Sequence, residues 1–107
     1  MPDRLKVFAA RHLEWSLRIF GGGKQTAGLT AHIEKEIAEI RAKPDDLAEW
    51  IDVMTLALDG YLRHGGSVDT LLRDLEAKQA VNLARTWPQA AGGEGPVEHD
   101  RAGEENG

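Results

Sequence analysis

Residues 32–52 read HIEKEIAEIRAKPDDLAEWID, and this stretch decides the fold. Ile33, Ile37 and Ile40 recur at helical spacing, and beyond the turn Leu47, Trp50, Ile51 and Met54 do so again. Between the two arms stands Lys43-Pro44-Asp45-Asp46. Pro44 cannot continue the first helix but suits the first turn of the second. Asp45 and Asp46 suit the positive N-terminal end of that second helix. Pro44 is also the midpoint of Glu39 and Glu49, and of Glu36 and Asp52. If the chain folds back here, residues equidistant from the turn come level, so Glu39 faces Glu49 and Glu36 faces Asp52. Within each arm the i, i+3 spacing puts both acids on one face.

Such a convergence of charge is costly. Two carboxylates about 6 Å apart at an effective dielectric of about 20 repel by about 3 kcal/mol. A small domain has only of order 5–15 kcal/mol of stability in total. The acids must therefore protonate, splay into water or bind cations. Hard oxygen ligands in a chain without cysteine point to Mg²⁺, Mn²⁺ or Ca²⁺ rather than zinc. The plainer reading is two solvated helix faces, because i, i+3 acid pairs are common on surface helices.

Outward from the hairpin, the pattern predicts two more helices. Leu5, Phe8, His12, Trp15 and Ile19 mark one from about Arg4 to Phe20. Gly21-Gly22-Gly23 ends it, and a loop through Gly28 leads to a second helix, capped by Thr30 and ending near Ala42. The third runs from about Asp46 to His64 and is closed by Gly65-Gly66. Ser67 caps the fourth, from about Val68 to Thr86, with Val68, Leu71, Leu72 and Leu75 facing inward. From Gln89 the chain is rich in Gly, Glu and Pro, which predicts a disordered tail over residues 89–107 behind an all-α domain over residues 1–88. The short connections imply an up-down four-helix bundle. Three Trp, two Phe and many Leu and Ile exceed what one small bundle can hide, which predicts self-association into a dimer or tetramer.

Charge narrows the partners. The net charge is −5, and the tail carries Glu94, Glu98, Asp100, Glu104 and Glu105 against Arg101, leaving the body near neutral. A near-neutral body with an acidic tail is not a nucleic-acid footprint. Without cysteine, thiolate chemistry and disulfides are excluded. No apolar run approaches membrane-spanning length and the start has no signal core, so the expected compartment is the cytoplasm.

The wider string sharpens the reading. His32-Ile33-x-Lys35-Glu36-x-x-Glu39-Ile40, then Pro44-Asp45-Asp46-Leu47-x-Glu49-Trp50-Ile51-Asp52-Val53, then Leu56-Ala57-Leu58-Asp59-Gly60, and Glu76-Ala77-Lys78-Gln79-x-x-Asn82-x-x-Arg85-Thr86-Trp87-Pro88 resemble the MazG-like all-α nucleoside triphosphate pyrophosphohydrolases. The likeness is to the dATP/dGTP pyrophosphohydrolase branch and covers roughly residues 12–88. Two features depart from the superfamily pattern. Lys35 stands where an acid often precedes the first ligand, and the interval between the acid pairs is short.

The resemblance implies an oligomeric helical core in which Glu36, Glu39, Glu49 and Asp52 hold Mg²⁺, with Mn²⁺ as a substitute. The metal binds a triphosphate and activates a water, giving a nucleoside monophosphate and pyrophosphate. One of the carboxylates is expected to take the water's proton; Glu39 is the first candidate, and the sequence does not distinguish it from Glu36 or Glu49. Lys78, Asn82 and Arg85 share one helix face and are candidates for phosphate or sugar, against the reading of an ordinary exposed face. Asp59 is a candidate for the ribose or a second metal, or a plain exposed acid. His32 lies one turn before Glu36 and is a candidate nucleotide contact. His12 reads as buried or at an interface, His64 as an end-of-helix cation, and Trp15 and Trp50 as core. Gly21-Gly22-Gly23-Lys24 fails the Walker pattern, since Arg18 and Gln25 occupy its Gly and Ser/Thr positions, and reads as a flexible linker. The expected function is an Mg²⁺-dependent deoxynucleoside triphosphate pyrophosphohydrolase that prefers dATP and dGTP. The alternative is a non-catalytic helical oligomer that binds nucleotide or serves as a regulatory module.

Overall fold

A computed structural model describes residues 3–85, all of whose regular structure is helical. Four helices follow in order: α1 Arg4–Phe20, α2 Thr26–Ala42, α3 Leu47–Arg63 and α4 Val68–Ala84. The expected tail over residues 89–107 lies outside the described residues. The chain divides after Thr70 into two units. The first holds α1, α2, α3 and the start of α4, and the second continues α4 from Leu71.

Local chemistry sets the helix ends. Asp3 caps α1 by accepting from the Lys6 N–H, and Asp46 caps α3 by accepting from the Ala48 N–H. Pro44 lies in the turn before α3, which the Asp46 N–H closes onto the Lys43 carbonyl at 3.1 Å. The Trp50 indole N–H donates back across that turn to the Pro44 carbonyl at 2.9 Å. Ser67 and Thr70 cap the start of α4 reciprocally, each side chain accepting the other's backbone N–H. Just before them, a Cβ on Gly66 would run into the Tyr61 ring.

One boundary differs from expectation. α2 starts a full turn before Thr30, so Gly28 is helical. Its N-cap is Gln25, in the left-handed region at φ 51°, and the Gln25 side-chain amide donates to the Gly22 carbonyl. Thr30 instead donates its hydroxyl back to the carbonyls of Thr26 and Ala27 within the helix.

In the first unit α2 and α3 pack against each other across the four-residue turn, and α1 lies on α3. The buried apolar residues are Ala9, Leu29 and Leu56 alone, among the described residues. Large side chains expected inside are exposed: Trp15, Trp50, Ile51, Met54, Leu72 and Leu75 are all at least 45% accessible. Three helices of this length cannot surround so many apolar groups, so apolar faces of α1 and α3 are exposed among the described residues.

Candidate metal centre

The hairpin brings three of the four expected ligands together. Glu36, Glu49 and Asp52 each place a carboxylate oxygen within 4.8 Å of the other two. Glu36 comes from the middle of α2, Glu49 from the first turn of α3 and Asp52 from the next turn. Glu36 and Glu49 are half-buried and Asp52 is exposed. Glu39, in the last turn of α2, is exposed and stands outside this set. The mirror argument is slightly off because α2 ends at Ala42 and α3 begins at Leu47. The hairpin's centre therefore falls between Pro44 and Asp45, and Glu36 meets Glu49 as well as Asp52.

The electrostatics match the geometry. Glu49 titrates above the usual carboxylate value, first because it is partly desolvated, then because Glu39, Asp46, Asp52 and Glu36 surround it with like charge. Glu39 thus acts on the cluster through its field. Oxygens bound to one hard cation at about 2.0–2.6 Å stand at most about 4–5 Å apart. The three carboxylates form a set of that size, with oxygen donors only, as Mg²⁺, Mn²⁺ or Ca²⁺ requires.

His32 borders the cluster, its Nε2 3.3 Å from Glu36 Oε1. Asp59 does not. It is 1% exposed and turned towards α1, where its Oδ2 accepts from the Ser16 hydroxyl and lies 3.3 Å from His12 Nε2. Its Oδ1 accepts from Arg63 Nε at 2.6 Å. Burial alone would push the Asp59 carboxyl up, but the hydrogen bonds from Ser16 and Arg63, the Arg63 charge and the His12 contact outweigh it and hold it below the usual value. These contacts engage both oxygens inside the protein, so Asp59 ties α3 to α1 rather than facing a ribose or a second metal. Lys78, Asn82 and Arg85 belong to the second unit. Lys78 and Asn82 border one shallow hollow there with Leu72, Leu75, Glu76 and Gln79.

Ser16 and Arg63 escaped the sequence reading. The one available signal was Asp59 and Arg63 at i, i+4 on one helix, which marks a pair without showing that it is buried. His64, expected as an end-of-helix cation, caps α3 and touches both the Gly60 carbonyl and the Thr26 hydroxyl through its ring.

The chain matches the dATP/dGTP pyrophosphohydrolase family over residues 8–103. It belongs to that family. Among curated proteins, the Eaa protein of Salmonella phage P22 is 34% identical over 95 residues, an alignment that takes in 88% of this chain and 29% of that protein. The family member described here therefore spans less than a third of that relative. Among solved structures it is similar to the cyanophage S-2L MazG-like pyrophosphohydrolase, at 28% identity and a TM-score of 0.71, covering 92% of this chain and 99% of the other. That structure holds dGDP and three catalytic Mn²⁺ ions per active site. No helix among the described residues is long and apolar enough to cross a membrane.

Proposed function

We propose that this family member is a divalent-metal-dependent pyrophosphohydrolase that converts dATP and dGTP to the monophosphate and pyrophosphate. The observation that carries the reading is the cluster of Glu36, Glu49 and Asp52, three hard oxygen donors within 4.8 Å in a chain of the dATP/dGTP pyrophosphohydrolase family. Mg²⁺ is the expected resident ion, with Mn²⁺, the ion present in the cyanophage structure, as a working substitute. When bound, the ion supplies the positive charge a triphosphate needs and lowers the pKa of a coordinated water.

The chain's own residues divide the remaining work. Glu36, Glu49 and Asp52 hold the ion. Glu39, exposed beside them and outside the set, is free to join it or to accept the water's proton. His32 orients Glu36 and borders the nucleotide. Lys78, Asn82 and Arg85 neutralise or hydrogen-bond phosphate and sugar. The uncovered apolar faces of α1 and α3 self-associate, so the working form is a homo-oligomer. Support comes from the exposure of Leu47, Ile51 and Met54, at 75%, 52% and 65%, along one side of α3.

The test is a panel of deoxy- and ribonucleoside triphosphates with Mg²⁺ or Mn²⁺ and detection of pyrophosphate. The expected result is release from dATP and dGTP in preference to the pyrimidine and ribose counterparts. Release of no pyrophosphate from any triphosphate overturns the proposal.

A further inference from the structure

The glycine loop between α1 and α2 is held from α3. Arg63 donates from Nη1 to the carbonyls of Gly21 and Gly23, both at 2.9 Å. The same guanidinium donates from Nη2 to the Ser16 hydroxyl at 2.8 Å and from Nε to Asp59 at 2.6 Å. Its side chain is only 2% exposed. The loop it grips is sharply turned, with Gly21 at φ +87° and Gly23 at φ +81°, where glycine is the cheap residue. Gln25 follows at φ 51°, a conformation that costs a non-glycine residue of order 1–3 kcal/mol unless its surroundings over-determine it. A loop expected to be a flexible linker is thus held at two carbonyls, those of Gly21 and Gly23.

That loop leads into the metal centre. Phe20, the residue before it, packs its ring edge-on against His32 with centroids 6.5 Å apart. His32 in turn contacts Glu36. Phe20, Gln25, His32 and Arg63 line one small cavity together with Gly28 and Leu29. A continuous packed path therefore runs from the Asp59–Arg63 pair through the loop and the Phe20–His32 contact to a ligand carboxylate. A buried ion pair is a weak stability device compared with apolar packing, and its best-attested use is to specify one arrangement among several. Here the arrangement specified is the entry to α2.

We infer that Arg63, fixed in place by Asp59 and Ser16, is a positioning residue for the metal centre: it sets the α1–α2 loop and, through Phe20 and His32, the orientation of Glu36. The inference rests on the metal-centre reading above. Lysine at this position keeps the charge beside Asp59 but has no planar fork to span two carbonyls and a hydroxyl.

The test compares wild type, Arg63→Lys and the milder Ser16→Ala by two measurements that need no turnover. The first is limited trypsin cleavage after Lys24, which sits inside the gripped loop, with cleavage after Arg41 in α2 as the reference for general loosening. Arg63→Lys should speed cleavage at Lys24 by at least about tenfold relative to Arg41, and Ser16→Ala should do so less. The second is Mn²⁺ affinity by calorimetry, which should weaken by about ten- to a hundredfold in Arg63→Lys, the range for loss of a group that orients a metal ligand. Should Arg63→Lys fold poorly, Ser16→Ala carries the test with the same directions. Unchanged cleavage at Lys24 overturns the inference, and so does faster cleavage with unchanged Mn²⁺ affinity. Failure of the wild type to hydrolyse any triphosphate would sink the proposed function alone, since protease and calorimetric readings would still report on the latch.

Discussion

Glu36 and Asp52 belong to different helices, yet their carboxylate oxygens come within 4.8 Å of each other and of Glu49. An apo protein tolerates such a cluster only at a cost in repulsion, and a cation removes it. Mn²⁺ at a hundred times its Kd should stabilise the wild type by about 2.7 kcal/mol, read as a rise in Tm. In Asp52→Asn and Glu36→Gln that rise should largely vanish, and turnover should fall by orders of magnitude with helicity unchanged in circular dichroism. Full Mn²⁺ stabilisation in both variants contradicts the assignment of these ligands.

Asp59 gives a pH dependence whose sign follows from its contacts. Its folded-state pKa lies below the ordinary value because Ser16, Arg63 and His12 favour the ionised form. Such a group contributes stability above its unfolded pKa of about 3.9, and the contribution is lost as pH falls through the lower folded value. Tm should therefore drop on acidification below about pH 4, and Asp59→Asn should be less stable at neutral pH with a flatter acid limb. A variant with wild-type Tm at pH 7 and the same acid limb would show that the buried network adds nothing.

Gly66 is required by a neighbour rather than by its backbone. A Cβ there would overlap the Tyr61 ring, whereas one at Gly22 would meet nothing within 4 Å. Gly66→Ala should cost about 1–3 kcal/mol, the usual range for overpacking, and Gly22→Ala should be near neutral. Thermal melts of the two variants side by side decide it.

The exposed edge of α3 predicts the association state. Ile51→Glu combined with Met54→Glu places two charges on the face expected to be covered by another copy. In sedimentation velocity the wild type should run as a dimer or larger and the double variant should shift towards monomer. A wild type that is already monomeric at micromolar concentration removes the basis for self-association.

The hairpin was legible because its signals are local. Isoleucine spacing, Pro44 and the two aspartates after it set both arms and the turn, and α1 and α3 agree with expectation to within a residue or two. The convergence of Glu36, Glu49 and Asp52 was legible for the same reason, since i, i+3 spacing and a tight turn leave little freedom, although Glu39, expected with them, stands outside the set. The start of α2 was not. The loop before it is hydrogen-bonded to Arg63, some forty residues later in the chain, and no local pattern records that contact. Asp59 was noticed as an acid but misplaced, because spacing gives a helix face and not what lies opposite it. Trp15 and Trp50 looked like core because they are large and apolar, yet among the described residues they stay about half exposed.

The Trp50 indole bonded to the Pro44 carbonyl makes the turn a gauge of fixed length. One extra residue between Lys43 and Asp46 falls in the turn, outside both helices, and would have to bulge outward or displace the start of α3, and Glu49 and Asp52 with it. A lengthened turn that pushed α3 aside would therefore part the Trp50 indole from the Pro44 carbonyl and the Glu36 carboxylate from those of Glu49 and Asp52.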